Sequence, residues 1–163
     1  MKLRTGDPWI PAPEYGRLMP QFTVNLIVRD VPRSLAFYRE VLQAQVHYDD
    51  PDFAALRILG LELLLHADHA YEANPWAESL ASDAGRGLGA ELRLLGMDPD
   101  ALADRARAAA ALFKDVSVRG HGWREAMVRD PDGYVWAVGR ALEPHEVPPP
   151  AATPANPTPA SEA

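Results

Sequence analysis

Apolar and polar residues in the first part of the chain alternate with a period typical of a strand and then with one typical of a helix. Residues 22–28 alternate and are rich in β-branched side chains, which predicts a strand. Asp30 and Pro32 suit a helix cap and a first-turn proline, and one apolar helical face follows, formed by Leu35, Tyr38, Val41 and Leu42. Three short apolar segments predict further strands at 45–48, 53–59 and 61–66.

The same order of elements occurs again from residue 90 onward. A strand is predicted at 91–95, Asp98 and Pro99 suit a second helix start, and the apolar face of that helix is Leu102, Ala106, Ala109 and Phe113. Strands follow at 116–119, 124–129 and 134–140, and Asp-Pro-Asp-Gly at 130–133 suits a type I turn. The chain is therefore predicted to be an α+β protein with two tandem βαβββ units, 22–66 and 90–142, joined by a linker at 67–89.

The two ends of the chain differ from this repeat. Residues 1–21 carry apolar side chains such as Trp9, Ile10 and Tyr15, but too many prolines for a helix or a central strand. We expect an ordered arm that packs on the domain or on a second subunit. Residues 143–163 are rich in proline and nearly devoid of large apolar side chains, which predicts a disordered tail. A role of residues 147–150 as a proline-rich ligand is the alternative.

Composition and charge narrow the range of partners. The chain has 163 residues, with 16 Lys and Arg against 23 Asp and Glu. That length suits one domain, and the net charge of −7, without any basic run, argues against nucleic-acid binding. The absence of cysteine excludes disulfide scaffolds and thiol catalysis. No segment has the apolar length of a secretion signal or a membrane span, so we expect no membrane partner and a cytoplasmic location.

Two segments carry a recognisable signature. Residues 24–38 read Val-Asn-Leu-Ile-Val-Arg-Asp-Val-Pro-Arg-Ser-Leu-Ala-Phe-Tyr, and residues 122–134 contain Gly-Trp-Arg-Glu and then Val-Arg-Asp-Pro-Asp-Gly-Tyr. They resemble the opening and closing signatures of the vicinal oxygen chelate superfamily (glyoxalase, bleomycin-resistance protein and dioxygenase), with the closing one in its bleomycin-resistance-like form. The resemblance covers residues 22–142 and implies a curved, cup-shaped mixed sheet covered by helices. Because this fold hosts several chemistries, the reaction has to be argued from the site.

The resemblance also identifies the positions where catalytic members hold one divalent metal. Their ligands are His, Glu or Gln on the first and fourth strands of the units, and the corresponding residues here are Thr23, Leu64, Glu91 and Ala137. Only Glu91 is a metal-binding side chain, and one carboxylate does not make a chelate. We therefore expect no metal and no cofactor, although a one-residue register slip would change the assignments of Leu64 and Glu91.

Strand alternation predicts which side chains face into the cup. They are Thr23, Asn25, Glu62, Leu64 and His66 in the first unit, and Glu91, Arg93, Val135 and Ala137 in the second. Phe53 and Trp123, with Tyr71 and Trp76, are candidates for aromatic walls at the mouth of the cup. A structural ion pair between Glu91 and Arg93 is the alternative for those two residues.

A few further side chains are candidates for a catalytic or a structural role. Glu91 and His121 are weak candidates for a catalytic base, since a histidine in a loop can act as an acid or base. His66 and His69 are expected to be ordinary solvated histidines that point in different directions. Trp136 should face the helix-covered core.

The resemblance and the predicted cup residues together indicate a function. The preferred hypothesis is a metal-independent protein of the bleomycin-resistance-like kind that binds a small molecule, a drug or a metabolite. It would be a homodimer with ligand grooves built from both units, and the ligand would stack on Trp123. The alternatives are an enzyme, either metal-dependent or a cofactor-free lyase, isomerase or oxygenase using Glu91 or His121, and a regulatory or interaction module.

Overall fold

The structure, a computed structural model, describes residues 1–70 and 75–147. Tyr71 and most of the predicted tail lie outside the described residues. The repeat appears as two four-stranded mixed sheets, with strand orders β1-β4-β3-β2 and β5-β8-β7-β6. This confirms the α+β fold and the two βαβββ units. The strands of the two sheets are not hydrogen-bonded to one another in the described part of the chain.

The first unit follows the predicted order closely. Its elements are β1 (Thr23–Val28), α2 (Val31–Glu40), β2 (Gln45–Asp49), β3 (Phe53–Ile58) and β4 (Leu61–Ala67), after a short helix α1 (Ala12–Leu18). The Asp30 side chain caps α2 by accepting a hydrogen bond from the Arg33 amide at 2.7 Å. Strand β1 pairs in parallel with β4, and the other neighbouring strands of this sheet are antiparallel.

The second unit repeats this arrangement. Its elements are β5 (Leu92–Leu95), α4 (Pro99–Ala108), β6 (Leu112–Arg119), β7 (Trp123–Arg129) and β8 (Val135–Ala141), after the short helix α3 (Ala77–Leu80). The turn before β8 closes with a Gly133 amide to Asp130 carbonyl bond of 3.1 Å, as predicted for a type I turn. The prediction for Phe113 was wrong. Helix α4 ends at Ala108, the chain turns at Ala110 with φ of 53°, and Phe113 lies on β6 with half of its surface exposed.

One apolar core joins the two units. Each sheet turns one face towards the helices, and both of these faces contribute side chains to the same buried cluster, including Leu63 and Leu65 from the first sheet and Val128 and Trp136 from the second. Trp136 meets Tyr38 of α2 edge-on, with ring centroids 6.0 Å apart, as the prediction for Trp136 required. We call the opposite side of each sheet its outer face.

Buried polar contacts also connect the units. The Tyr38 hydroxyl donates to Asp130 at 2.8 Å, and Asp132 accepts hydrogen bonds from the Ser34 hydroxyl and from the Arg29 guanidinium, both at 3.0 Å. The turn between β7 and β8 therefore fastens the second unit to the start of α2. Burial raises the pKa of Asp130, and the neighbouring Asp132 adds to this, although hydrogen bonds to its carboxylate act in the opposite direction.

The amino-terminal arm, residues 1–21, packs on the first unit and contains a short helix. Residues Ala12–Leu18 form α1, which corrects the expectation that prolines would prevent a helix. Pro11 lies at the N-cap and Pro13 in the first turn, where a missing amide hydrogen costs nothing. No residue of α1 is buried, so this helix depends on a few side-chain contacts with the sheet.

In the described ranges, none of the helices combines the length and apolar character that a transmembrane helix requires.

Candidate functional site

The outer face of the first sheet gathers most of the side chains predicted to line the cup. The register pairs Thr23 with Glu62, Asn25 with Leu64, and Phe53 with His66, which puts all six on one face. Leu64 is buried, whereas Asn25 is exposed. Whether these six residues bind a ligand stays a prediction, but their shared face is an observed feature.

The arm covers part of this outer face. Trp9 stacks on Tyr48 with ring centroids 5.2 Å apart and planes at 7°, and Tyr15 meets Phe53 edge-on at 5.9 Å. The Tyr15 hydroxyl donates to Glu62 at 3.1 Å. Burial, together with the Glu62 charge, raises the pKa of Tyr15 to about 12, so the hydroxyl keeps its proton at neutral pH.

Between the arm and the first sheet lies a cavity of about 400 Å³, which we call the arm cavity. The arm lines it with Lys2, Arg4, Trp9 and Tyr15 among others, and the sheet lines it with Tyr48, Phe53, Leu64 and His66 among others. Its size and its mainly apolar and aromatic walls are those of a small-molecule site. Three residues predicted from strand alternation, Phe53, Leu64 and His66, line this cavity.

His66 is an ionisable group of the sheet wall. Its Nδ1 lies 2.7 Å from Asn25 Oδ1, and its ring centroid lies 4.7 Å from that of Phe53. Burial lowers the pKa of His66, so the neutral imidazole predominates at neutral pH. His66 therefore binds a proton more readily in the unfolded chain, where its pKa has the ordinary value of 6.5, than in the folded protein. As a result, the folded protein loses stability as the pH falls below 6.5.

The carboxylate of Asp52 links the arm to the first unit. It accepts hydrogen bonds from the Leu3 and Arg4 amides, at 2.7 and 3.1 Å, and lies 2.8 Å from His69 Nε2. Burial alone would raise the pKa of Asp52, but these hydrogen bonds together hold it below its usual value. His66 and His69 contact different partners, Asn25 and Asp52. Both have partners, which corrects the expectation that they are ordinary solvated histidines.

The outer face of the second sheet carries a charged cluster. Glu125 is almost fully buried and accepts hydrogen bonds from Arg93 at 2.5 Å and from Arg119 at 2.8 Å. Burial would raise the pKa of Glu125, but the two arginines hold it below its usual value. Arg93 also binds Glu91 at 2.7 Å, which is the structural pair considered from the sequence. His121 lies 3.3 Å from Arg93 and 3.7 Å from Glu125.

Glu125 was not predicted as a site residue, although the sequence contains a signal for it. The turn at 130–133 sets the register of β7 and β8, which pairs Met127 with Ala137 and Glu125 with Gly139. Glu125 must then share the outer face with Ala137. Gly139 makes room for it, because a Cβ at that position would lie 2.2 Å from the Arg124 carbonyl oxygen and 2.8 Å from the Glu125 Cβ.

The remaining predicted residues lie on or near the second sheet. Trp123 is the first residue of β7, half-buried rather than in a loop, and Val135 and Ala137 share its outer face. Glu91 comes just before β5. The predicted cup residues thus divide into two sets, one on each sheet. Trp76 is more than half exposed.

The four positions implied as metal ligands do not fit a metal. Leu64 and Ala137 are buried and apolar. Thr23 lies on β1 of the first sheet, whereas Glu91 comes just before β5 of the second sheet. Within residues 1–70 and 75–147, no three His, Asp or Glu side chains come together in a way that could hold an ion. The side chains present at these positions therefore give no basis for a metal-dependent step.

A second cavity, of about 510 Å³, lies behind the first sheet, between the turn at Leu59 and Gly60 and helix α4. Two of its polar side chains make contacts within the fold: Arg105 donates to the Val41 carbonyl at 3.0 Å, and Arg57 pairs with Glu62 at 3.3 Å. Its walls contain no aromatic ring. The arm cavity is the better candidate for ligand binding.

Several solved protein structures have the same architecture as this chain. No curated protein sequence matches the chain. A crystal structure of a glyoxalase/bleomycin resistance protein/dioxygenase from Nocardioides is similar, with 20% identity and a TM-score of 0.60 over 80% of this chain and 92% of that one. The fosfomycin resistance protein FosX from Listeria monocytogenes shows 17% identity and a TM-score of 0.57, over 79% and 98%.

A lactoylglutathione lyase from Agrobacterium tumefaciens shows 20% identity and a TM-score of 0.52, over 74% of this chain and 94% of that one. At these identities, the structures establish the common fold alone. Residues 21–138 match the family profile described as the glyoxalase/bleomycin resistance protein/dioxygenase superfamily, which is most of the chain. The chain belongs to that superfamily.

Proposed function

We propose that this protein binds a small organic molecule, a drug or a metabolite, in the arm cavity, without a metal and without breaking a bond. The observation that carries the proposal is the cavity of about 400 Å³ between the arm and the first sheet, with rings from both sides in its wall. Aromatic surface around a few polar groups favours an organic ligand with a flat apolar part.

The superfamily gives this proposal a context. Two similar structures bear names that concern small molecules, a fosfomycin resistance protein and a lactoylglutathione lyase. The residues at the metal-ligand positions favour binding over metal-assisted catalysis here. The homodimer expected from the sequence stays a prediction, as do Glu91 and His121 as catalytic groups.

The position of the ligand can be tested with two tryptophan variants. In a thermal-shift screen of aromatic compounds and glycopeptides, we expect hits whose affinity falls by about 1–2 kcal/mol in Trp9→Ala, because a stacking surface is lost. Trp123→Ala, on the other sheet, is the matched control and should leave affinity unchanged. Hits weakened by Trp123→Ala alone would instead place the ligand at the second outer face, and hits affected by neither variant would contradict both placements.

Metal independence can be tested on the same protein. Since a ligand that binds only the folded state raises the melting temperature, removing a bound metal would lower it. We expect the melting temperature to be the same before and after treatment with a chelator, and after addition of Zn²⁺, Mn²⁺, Ni²⁺ or Fe²⁺. A stoichiometric metal in the purified protein, with a loss of several degrees on chelation, would overturn this part of the proposal.

A further inference from the structure

We propose that the ligand of the arm cavity is an aromatic carboxylate, and that Arg4 of the arm binds its anionic group. This inference rests on the proposed function and names the chemical class of ligand for that site. It rests on the hydrogen bonding of the Arg4 side chain, on the hydrogen bonds that the neighbouring carboxylates already accept, and on the aromatic walls of the cavity.

The Arg4 guanidinium lines the cavity and is incompletely hydrogen-bonded within the described residues. Its side chain is only 21% exposed, and not every one of its donors has a hydrogen-bond partner in the described residues. Its Nε is fully buried and unpartnered there. Arg4 Nη1 forms an ion pair with Asp50 Oδ2 at 3.7 Å, beyond hydrogen-bond distance. The hydrogen bond to Asp50 raises the pKa of Tyr48, and a side-chain hydrogen bond with Arg4 offsets part of that rise. Buried guanidinium groups are normally hydrogen-bonded, so an acceptor from a ligand would complete this site.

The two carboxylates beside Arg4 serve the fold. Asp50 accepts hydrogen bonds from the Asp52 and Phe53 amides, both at 2.8 Å, and from the Tyr48 hydroxyl at 2.7 Å. Asp52 is occupied by the Leu3 and Arg4 amides and by His69. Neither carboxylate can turn further towards Arg4 without releasing its own donors, so the ion pair with Asp50 stays at 3.7 Å and the guanidinium keeps capacity for an acceptor from a ligand.

The charges around the cavity favour a single negative charge on the ligand. Lys2, the other cation in the cavity wall, makes no ion pair with the described residues. Arg4 and Lys2 therefore attract an anion, whereas Asp50 and Asp52 nearby would repel a second negative charge. A carboxylate meets both conditions, and its two oxygens match the forked donors of a guanidinium.

The aromatic and apolar walls of the cavity indicate the shape of the uncharged part of the ligand. Trp9 and Tyr48 present parallel rings, and Phe53 and Leu64 form the apolar floor on the sheet side. A flat ring system of one or two fused rings fits an aromatic wall of this kind and leaves its carboxylate for Arg4.

Three probes of nearly equal size separate charge from shape: 2-naphthoate, 2-naphthamide and 2-naphthylmethylammonium. We expect calorimetry on the full chain to show that 2-naphthoate binds at least about tenfold more tightly than 2-naphthamide, and that the cation binds most weakly, because a charge-assisted hydrogen bond is lost or reversed. In Arg4→Gln, the preference for 2-naphthoate over 2-naphthamide should fall to about twofold or less.

Arg17→Gln is the matched control, because Arg17 is an exposed arginine of α1 that does not line the cavity. It should keep the full preference for 2-naphthoate, and circular dichroism should show both variants folded. Equal binding of 2-naphthoate and 2-naphthamide to the wild type, or a preference that survives Arg4→Gln, would overturn the carboxylate inference while leaving small-molecule binding intact. Binding of none of the probes, with no effect on Trp9 fluorescence, would overturn the inference together with the arm cavity as the site.

Discussion

Asp132→Ala should lower the free energy of unfolding by about 3 kcal/mol, because the substitution removes a buried carboxylate and leaves its donors unpaired. Asp132 is only 4% exposed and accepts hydrogen bonds from the Arg29 amide, the Arg29 guanidinium and the Ser34 hydroxyl, each at 3.0 Å. These donors belong to the first unit, so the effect measures how strongly the turn at 130–133 holds the units together. For a chain of this length the melting temperature should fall by roughly 6–12 °C.

Asp100→Ala provides the comparison for this variant. Asp100 binds Arg124 through two hydrogen bonds, at 2.6 and 2.9 Å, but its side chain is half exposed, and exposed ion pairs contribute at most about 1 kcal/mol. Urea unfolding of both variants measures the two losses on one scale. If Asp132→Ala cost no more than Asp100→Ala, the buried carboxylate would not be what joins the two units.

Local sequence features predicted the repeat because each depends on residues close together in the chain. The caps at Asp30 and Asp98 and the turn at 130–133 act within three or four residues, and the alternation of β1 and β4 reflects one buried and one outer face. The end of α4 was missed for a different reason. Ala109 and Phe113 continue a helical pattern, and only the left-handed conformation of Ala110 interrupts it, which an alanine does not indicate in advance.

The site was predicted in part for the same reasons. Alternation identified the residues of each outer face, but it contains no information on which segment covers that face. The contacts of the arm join residues far apart in the chain, such as Tyr15 with Glu62 and Leu3 with Asp52, which are 47 and 49 positions apart. Nothing in the local pattern around Trp9 or Arg4 indicates these partners, so both residues were missed as members of the site.

Asp52→Ala should release the arm while leaving the two units folded. The substitution removes the acceptor of the Leu3 and Arg4 amides and of His69, and hydrogen bonds to a charged acceptor contribute about 1.5–3 kcal/mol each. Because α1 buries no residue of its own, few other contacts oppose the opening of the arm. We expect hydrogen-exchange protection of the Leu3 and Arg4 amides to fall by about a hundredfold, and the affinity for 2-naphthoate to fall by a similar factor, since the arm supplies half of the cavity wall.

The pH dependence of this attachment follows from the low pKa of Asp52. Burial opposes ionisation, but the three hydrogen bonds hold the folded-state pKa below its ordinary value of 3.8. The contribution of Asp52 to stability is therefore complete above about pH 4 and is lost as the pH falls through the folded-state pKa. In the wild type, protection of the Leu3 and Arg4 amides should be independent of pH near neutrality, after correction for intrinsic exchange, and should decrease only in strong acid.

Asp49→Ala is the control for Asp52→Ala, because Asp49 is an exposed aspartate of the same strand region with no hydrogen bond to the arm. It removes the same charge from the same neighbourhood, so it separates a general electrostatic effect from the loss of the specific acceptor. Asp49→Ala should leave both amide protection and probe affinity unchanged. If it loosened the arm as much as Asp52→Ala does, or if Asp52→Ala left Leu3 and Arg4 protected, then the ring contacts of Trp9 and Tyr15, rather than the Asp52 carboxylate, would hold the arm over the cavity.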